Sequence, residues 1–203
     1  MSRRSGSRAR LATVLGAVVV VGLVATGCSS SSTSSTTTTT SSSSSSSSSS
    51  LASQVIGAAY ATSVGFPKTV QAAKSTKVTS QKGCTSSIEA VYEDATGKTG
   101  LISDVLNCTS DAAAKVALAA ARKHVTADPA IAVPKGLGPL SFATSSNAPE
   151  YLIVWQPHDR VGITGIDVDT AATSPSATAY PITPAQSQTL ANAAVHQDSL
   201  YPS

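Results

Sequence analysis

The sequence predicts an α+β fold: an antiparallel sheet built from two hairpins, helices packed on one face, and one disulfide. Three observations carry this. Residues 88–93 and 101–106 alternate apolar and polar side chains around a glycine-bearing loop at 94–100, the pattern of a β-hairpin. Residues 151–155 and 160–167 form a second strand pair around the turn 156–159, where Pro157 presets φ. Each pair is followed by a stretch of helical spacing, so a ββα order occurs twice, without an accompanying sequence repeat, and such an order suits a sheet with helices layered on it.

The chain begins with a segment that does not belong to this domain. Arg3, Arg4, Arg8 and Arg10 make a basic start, and residues 11–24 are almost wholly apolar. A helix of about fourteen residues covers roughly 21 Å, short of the ~30 Å hydrocarbon core. This is the anatomy of a cleavable secretory signal rather than of a permanent span. The small residues Ala25, Thr26 and Gly27 then precede Cys28. The order resembles the lipobox of bacterial lipoproteins, with Ala25 where that family more often has leucine. The resemblance covers residues 1–28. It implies a signal peptide over 1–27, cleavage before Cys28, a diacylglyceryl thioether on the Cys28 sulfur, and residence on the extracytoplasmic face of the cell membrane. Two acyl chains anchor stably where one binds only marginally. The Arg3-Arg4 pair lacks the hydrophobic residues expected after a twin-arginine export signal.

Residues 29–50 are unbroken Ser and Thr. With nothing apolar to bury, such a tract cannot offset the cost of ordering its backbone. Treated as a Gly/Ser-like linker it has an r.m.s. span of roughly 25 Å, which sets residues 28–50 as lipidated cysteine plus spacer and 51–203 as the extracytoplasmic domain. The Thr run at 36–40 is similar to tracts that carry O-linked sugars on some actinobacterial envelope proteins. The Ala- and Thr-rich, Lys-poor composition also resembles that group.

Charge and cysteines narrow the function. The formal charge is +3, with fourteen Lys/Arg and eleven Asp/Glu, but four of the basic residues lie in the leader. The mature chain therefore keeps ten basic against eleven acidic residues. No basic block follows the spacer, so nucleic-acid binding, which needs clustered positive charge, has no support. There are three cysteines. With Cys28 lipidated, Cys84 and Cys108 remain, and an extracytoplasmic location permits their pairing. Parity supports it: Cys84, Ile88, Ala90, Tyr92, Ile102, Leu106 and Cys108 are all even-numbered, so strands without a bulge place both sulfurs and most large apolar groups on one face. Asp104 is the discordant even position.

The remaining elements follow in order. Leu51, Val55, Ala58, Ala59 and Thr62 are spaced as a helix that Gly65 and Pro67 end. Residues 68–83 are polar and lysine-bearing, a solvated connector or a short helix. Ser110 or Thr109 caps a helix from Asp111 to about Val125, with Asp111 at its positive end and Arg122, Lys123 and His124 at its negative end. Its alanine-rich face, along Val116, Ala120 and Lys123 and the neighbouring Ala113, Ala117, Ala121 and Val125, suits close approach to a sheet. Residues 129–150 hold four prolines and two glycines, a long loop with one strand at 140–143 and the favoured place for variation or ligand access. Trp155 reads as core. Residues 170–182 form a linker. Thr183, Pro184 and Gln186 then make a capping box with proline in the first turn of a helix running to about Ser199.

No catalytic constellation emerges. The Gly97-Lys98-Thr99 triplet lacks the P-loop glycine, since Tyr92 occupies its place, and a strand rather than a helix follows. His124, His158 and His196 have no metal-ligand spacing, and His158-Asp159 are neighbours in one turn, which a triad does not allow. There is no Gly-x-Ser-x-Gly element. Glu89 and Glu93 share a strand face without forming an acid/base pair by spacing alone, and Asp167 with Asp169 supplies too few oxygens for a calcium loop. The expectation is a non-enzymatic binding or structural domain, without catalytic residues, metal or cofactor. Its partners are the membrane, through the lipid anchor, and an envelope protein, lipid or glycan. A small extracytoplasmic hydrolase is the alternative.

Overall fold

The computed structural model describes residues 52–123, 125–145, 150–168 and 182–201. Residues 1–51, which hold the expected leader, Cys28 and the Ser/Thr tract, lie outside them, as do His124, residues 146–149, residues 169–181 with nearly all of the expected linker, and residues 202–203.

The fold is α+β, as expected: a six-stranded antiparallel sheet with helices and one disulfide. In chain order the elements are α1 (Ala58–Ser63), β1 (Lys68–Lys77), β2 (Cys84–Glu93), β3 (Thr99–Cys108), α2 (Asp111–Lys123), β4 (Phe142–Ser145), β5 (Glu150–Trp155), β6 (Arg160–Val168) and α3 (Pro184–Asp198), with a 3-10 turn at Lys135–Leu137. The sheet order is β1-β2-β3-β6-β5-β4. Each expected hairpin thus gains an outer strand and becomes a three-stranded meander, and the meanders join along β3 and β6.

β1 is the element that sequence periodicity does not show. It is an edge strand exposed along eight of its ten residues, so neither face demands apolar alternation, and its extended form is set by the ladder to β2. Lysines on such an edge also discourage pairing with other chains. α1 is shorter than expected. Upstream of it, the Ile56 N–H donates to the Ser103 hydroxyl (2.9 Å) and the Ile56 carbonyl accepts from the Tyr92 hydroxyl (2.6 Å). Groups committed to the sheet in this way are lost to a helix.

The helices do not share one face. Ile88, Ala90, Tyr92, Leu101, Val105, Tyr151, Ile153, Trp155 and Ile166 form one core with Leu190, Ala193 and Ala194 of α3. Leu106, Leu152, Val154, Val161 and Ile163 form a second with Ala114, Ala117 and Leu118 of α2. Successive residues of β5 alternate between the two cores. A strand apolar at five consecutive positions, Tyr151 to Trp155, must be covered on both sides. On α2 the buried line is Ala114, Ala117 and Leu118, while Val116 is 61% exposed. The packed face is therefore rotated from the expected one. It still allows close approach: a Cβ on Gly83 would lie 2.8 Å from the Ala113 Cβ. Ser110 caps α2 through the Ala113 N–H at 3.2 Å.

Cys84 and Cys108 are bonded and face each other across the ladder, but the parity that predicted their pairing does not hold along the whole strand. The register shifts between Cys84 and Ser86, so Ile88 lies opposite Val105 and Tyr92 opposite Leu101. Ile88, Ala90 and Tyr92 accordingly face α3, while Cys84, Leu106 and Cys108 face α2. A β-bulge lets one strand serve both cores. Replacing both cysteines by alanine is expected to cost about 3–4 kcal/mol by loop-closure entropy, read as a lower urea midpoint than that of the oxidised wild type.

Candidate functional site

A cleft of about 220 Å³ lies where the end of α1, the β2–β3 turn and the first turns of α3 converge. Local sequence builds each wall. α1 stops at Ser63, and Gly65 (φ 99°) reverses the chain so that Val64 and Phe66 face inward with Ile166 of β6. In the turn, Gly97 takes φ 72°, and the Asp94 carboxylate accepts from the Thr96 hydroxyl (2.9 Å) and the Lys98 N–H (3.1 Å). Burial opposes ionisation of Asp94, but these bonds together hold its carboxyl below the usual range. The triplet Gly97-Lys98-Thr99 is thus a turn, as its context implied.

The third wall is the capping box read from the sequence. The Thr183 hydroxyl accepts from the Gln186 N–H (3.2 Å), and Gln186 Oε1 accepts from the Thr183 N–H (3.0 Å). This fixes the Gln186 side chain at the mouth beside Thr189, with its oxygen occupied and its amide nitrogen left for donation. The cleft therefore has an apolar floor of Val64, Phe66 and Ile166 and a hydrogen-bonding rim of Thr99, Gln186 and Thr189. The one titratable side chain among its described lining residues, Asp94, is engaged by its own loop.

On the opposite side of the sheet a cross-strand row runs Lys74, Glu89, Asp104, Ile163, Val154 and Phe142. The apolar half lies in the α2 core. The polar half puts two carboxylates directly opposite each other. Asp104 Oδ1 is buried and has no hydrogen-bond partner. Burial, and then the neighbouring Glu89 charge, push the Asp104 carboxyl up to about 7. Burial also raises Glu89. The discordant even position is thus a partly buried acid with its Oδ1 closed off from solvent, kept neutral by its surroundings across the mildly acidic range.

Gln197 is the residue that sequence reasoning missed. It is fully buried beneath α3. Its Oε1 accepts from the hydroxyls of Ser103 (2.8 Å) and Thr164 (2.7 Å), and its Nε2 donates to the Asp104 carbonyl and the Tyr201 hydroxyl, both at 2.9 Å. All four bonding positions of the amide are used. Trp155 is core, as expected, with its indole N–H donating to Asp198 Oδ1 at 2.8 Å.

The other candidate residues do not gather. Cys84 and Cys108 are joined in the disulfide and offer no thiolate. His158 is exposed in the β5–β6 turn with φ 53°. His196 stacks on Tyr60 at 3.7 Å between ring centroids. Neither histidine side chain is hydrogen-bonded to a serine and a carboxylate among the described residues. Among those residues no three His, Cys, Asp or Glu side chains gather to hold a metal ion, and no helix is long and apolar enough to cross a membrane. Asp167 is the penultimate residue of β6, and Asp169 is outside the described residues. The 129–150 loop, expected to be a place for variation or ligand access, buries Ile131 and Leu137 in the α3 core, and none of its described residues lines the cleft. Comparison with protein-family models, with curated proteins and with solved structures yields no match.

Proposed function

We propose that the chain is a membrane-anchored lipoprotein of the cell envelope, lipidated at Cys28, whose folded domain binds a ligand rather than transforming one. The observation that carries the binding reading is the lining of the cleft. An apolar floor beneath a neutral hydroxyl and amide rim suits a small polyol with one apolar face, the chemistry of a single sugar unit of an envelope glycan. At about 220 Å³ the cleft lies below the ~300–1,000 Å³ usual for sites that enclose drug-sized ligands, which favours a sugar edge over a diacyl lipid. Among the described residues that line the cleft there is no nucleophile–base pair, and this supports binding over hydrolysis.

Amide chemical-shift perturbation with neutral mono- and disaccharides tests the cleft. The expected shifts centre on Val64–Phe66, Thr99 and Thr189, and Thr189→Trp, which fills the opening, abolishes them. Shifts elsewhere, or unaltered by Thr189→Trp, would remove the cleft as the site. The anchor is tested by fatty-acid labelling in cells, which Cys28→Ala is expected to eliminate. Turnover of ester or peptide substrates, lost in His158→Ala, would favour the hydrolase reading instead.

A further inference from the structure

We infer that β1 is the edge with which the domain lies against the anionic phospholipid headgroups of the membrane, an inference that rests on the anchored reading of Cys28. The argument starts from the distribution of charge. From Ala52 to Ile88 the chain has four lysines, Lys68, Lys74, Lys77 and Lys82, and no acidic residue. The described remainder has six Lys/Arg against ten Asp/Glu. A domain close to neutral as a whole therefore carries an excess of positive charge along one side and an excess of negative charge over the rest.

The fold places that side at the rim. β1 is the outermost strand, and its lysines splay from both faces of the sheet, so a flat anionic surface meets them edge-on. Lys68 and Lys74 lie opposite Glu93 and Glu89 in the ladder, and the Lys68 ammonium donates to the Ala95 carbonyl. Lys77 lies opposite Ser86, and Lys82 follows in the β1–β2 connection. The last two are the uncompensated charges. Chain path adds the second argument. The Ser/Thr run ends at Ser50, and only α1 separates it from β1, so the basic edge is the first strand beyond the tether. The span of roughly 25 Å expected of a Gly/Ser-like tether would keep this edge near the bilayer, where attraction acts within about 8 Å at physiological salt. Each lysine close to an anionic surface multiplies the partition by about fivefold.

The test uses the chain from Ser29 to Ser203, which contains every described residue but neither the leader nor Cys28. Its co-sedimentation is compared between vesicles of phosphatidylcholine alone and vesicles with one part phosphatidylglycerol to three of phosphatidylcholine. The expected result is at least about tenfold stronger partition onto the anionic vesicles, lost at about 1 M salt, where screening shortens to ~3 Å. Lys77→Gln with Lys82→Gln is expected to reduce that partition by about tenfold or more. Lys115→Gln with Lys123→Gln, both exposed on α2, leaves it unchanged. Unchanged urea midpoints show that both variants fold. Equal partition onto the two vesicle types, or equal loss in the α2 control, would overturn the proposal and leave the lysines as guards of an exposed edge. Because this chain lacks Cys28, a failure of lipid labelling in cells and a failure here are separate results.

Discussion

Replacing Asp104 by asparagine is expected to raise stability most at pH 7.5, less at pH 5, and to leave it nearly unchanged only below about pH 3.8. The folded-state carboxyl titrates at about 7, against 3.8 for an ordinary aspartate. Between those values the unfolded chain releases the proton and the folded chain keeps it. The folded state therefore binds more protons, and stability falls as pH rises, by at most about 1.4 kcal/mol per unit, levelling off above about pH 7. Across pH 5 to 7 the Asp104 contribution is on the order of 2–3 kcal/mol. Glu89, also raised by burial, acts in the same direction above the ordinary carboxylate range. Asp94, held below its ordinary 3.8, contributes stability that is lost only as pH falls below about 4. Burial lowers His196, whose neutral folded form makes stability fall as pH drops below 6.5. The readout is therefore the difference between wild type and Asp104→Asn in urea unfolding across this range. A difference that does not grow with pH would show that Asp104 is ionised throughout.

Gln197→Leu is expected to be strongly disruptive on the α3 side of the sheet, costing about 3–5 kcal/mol. Leucine is similar in volume, so the loss comes from the groups left behind. The Ser103 and Thr164 hydroxyls and the Asp104 carbonyl lose their partner beneath a closed core, and each buried polar group stranded in this way costs roughly 1–3 kcal/mol. The neighbouring Ile56 N–H still has the Ser103 oxygen. The comparison that isolates the mechanism is Gln197→Leu combined with Thr164→Val. If stranded polar groups carry the cost, the pair is less destabilised than the sum of the single variants, by about 1 kcal/mol or more. Strict additivity would assign the loss to packing instead. Urea midpoints at fixed pH measure both.

Some of this was legible because it is local. The capping box at Thr183, Pro184 and Gln186 needs only residues three apart, and the structure reproduces both of its reciprocal bonds. The two hairpins needed only alternation and turn residues. Trp155 and Ser110 took the roles that their immediate neighbours imply. The pairing of Cys84 with Cys108 was reached from a cysteine count that does not depend on register, which is why it survived the bulge that broke the parity argument.

What was missed depends on residues far apart in the chain. β1 has no apolar period, since an exposed edge has no buried face to encode; its existence depends on β2 offering a free ladder. The division of helices between two faces was signalled by the unbroken apolar run 151–155, yet only assembly of the sheet shows that α2 and α3 cover opposite sides. The cleft joins residues near 65, 97 and 186, and Gln197 meets Ser103 and Thr164 across ninety-four and thirty-three residues. The sequence by itself determined the caps, the hairpins and the cysteine pair, because backbone propensity and side-chain period act over a few residues. Only the tertiary structure decided which strand faces are covered, which acid is buried and which walls meet in a cleft, because burial and hydrogen-bond satisfaction belong to residues brought together by folding.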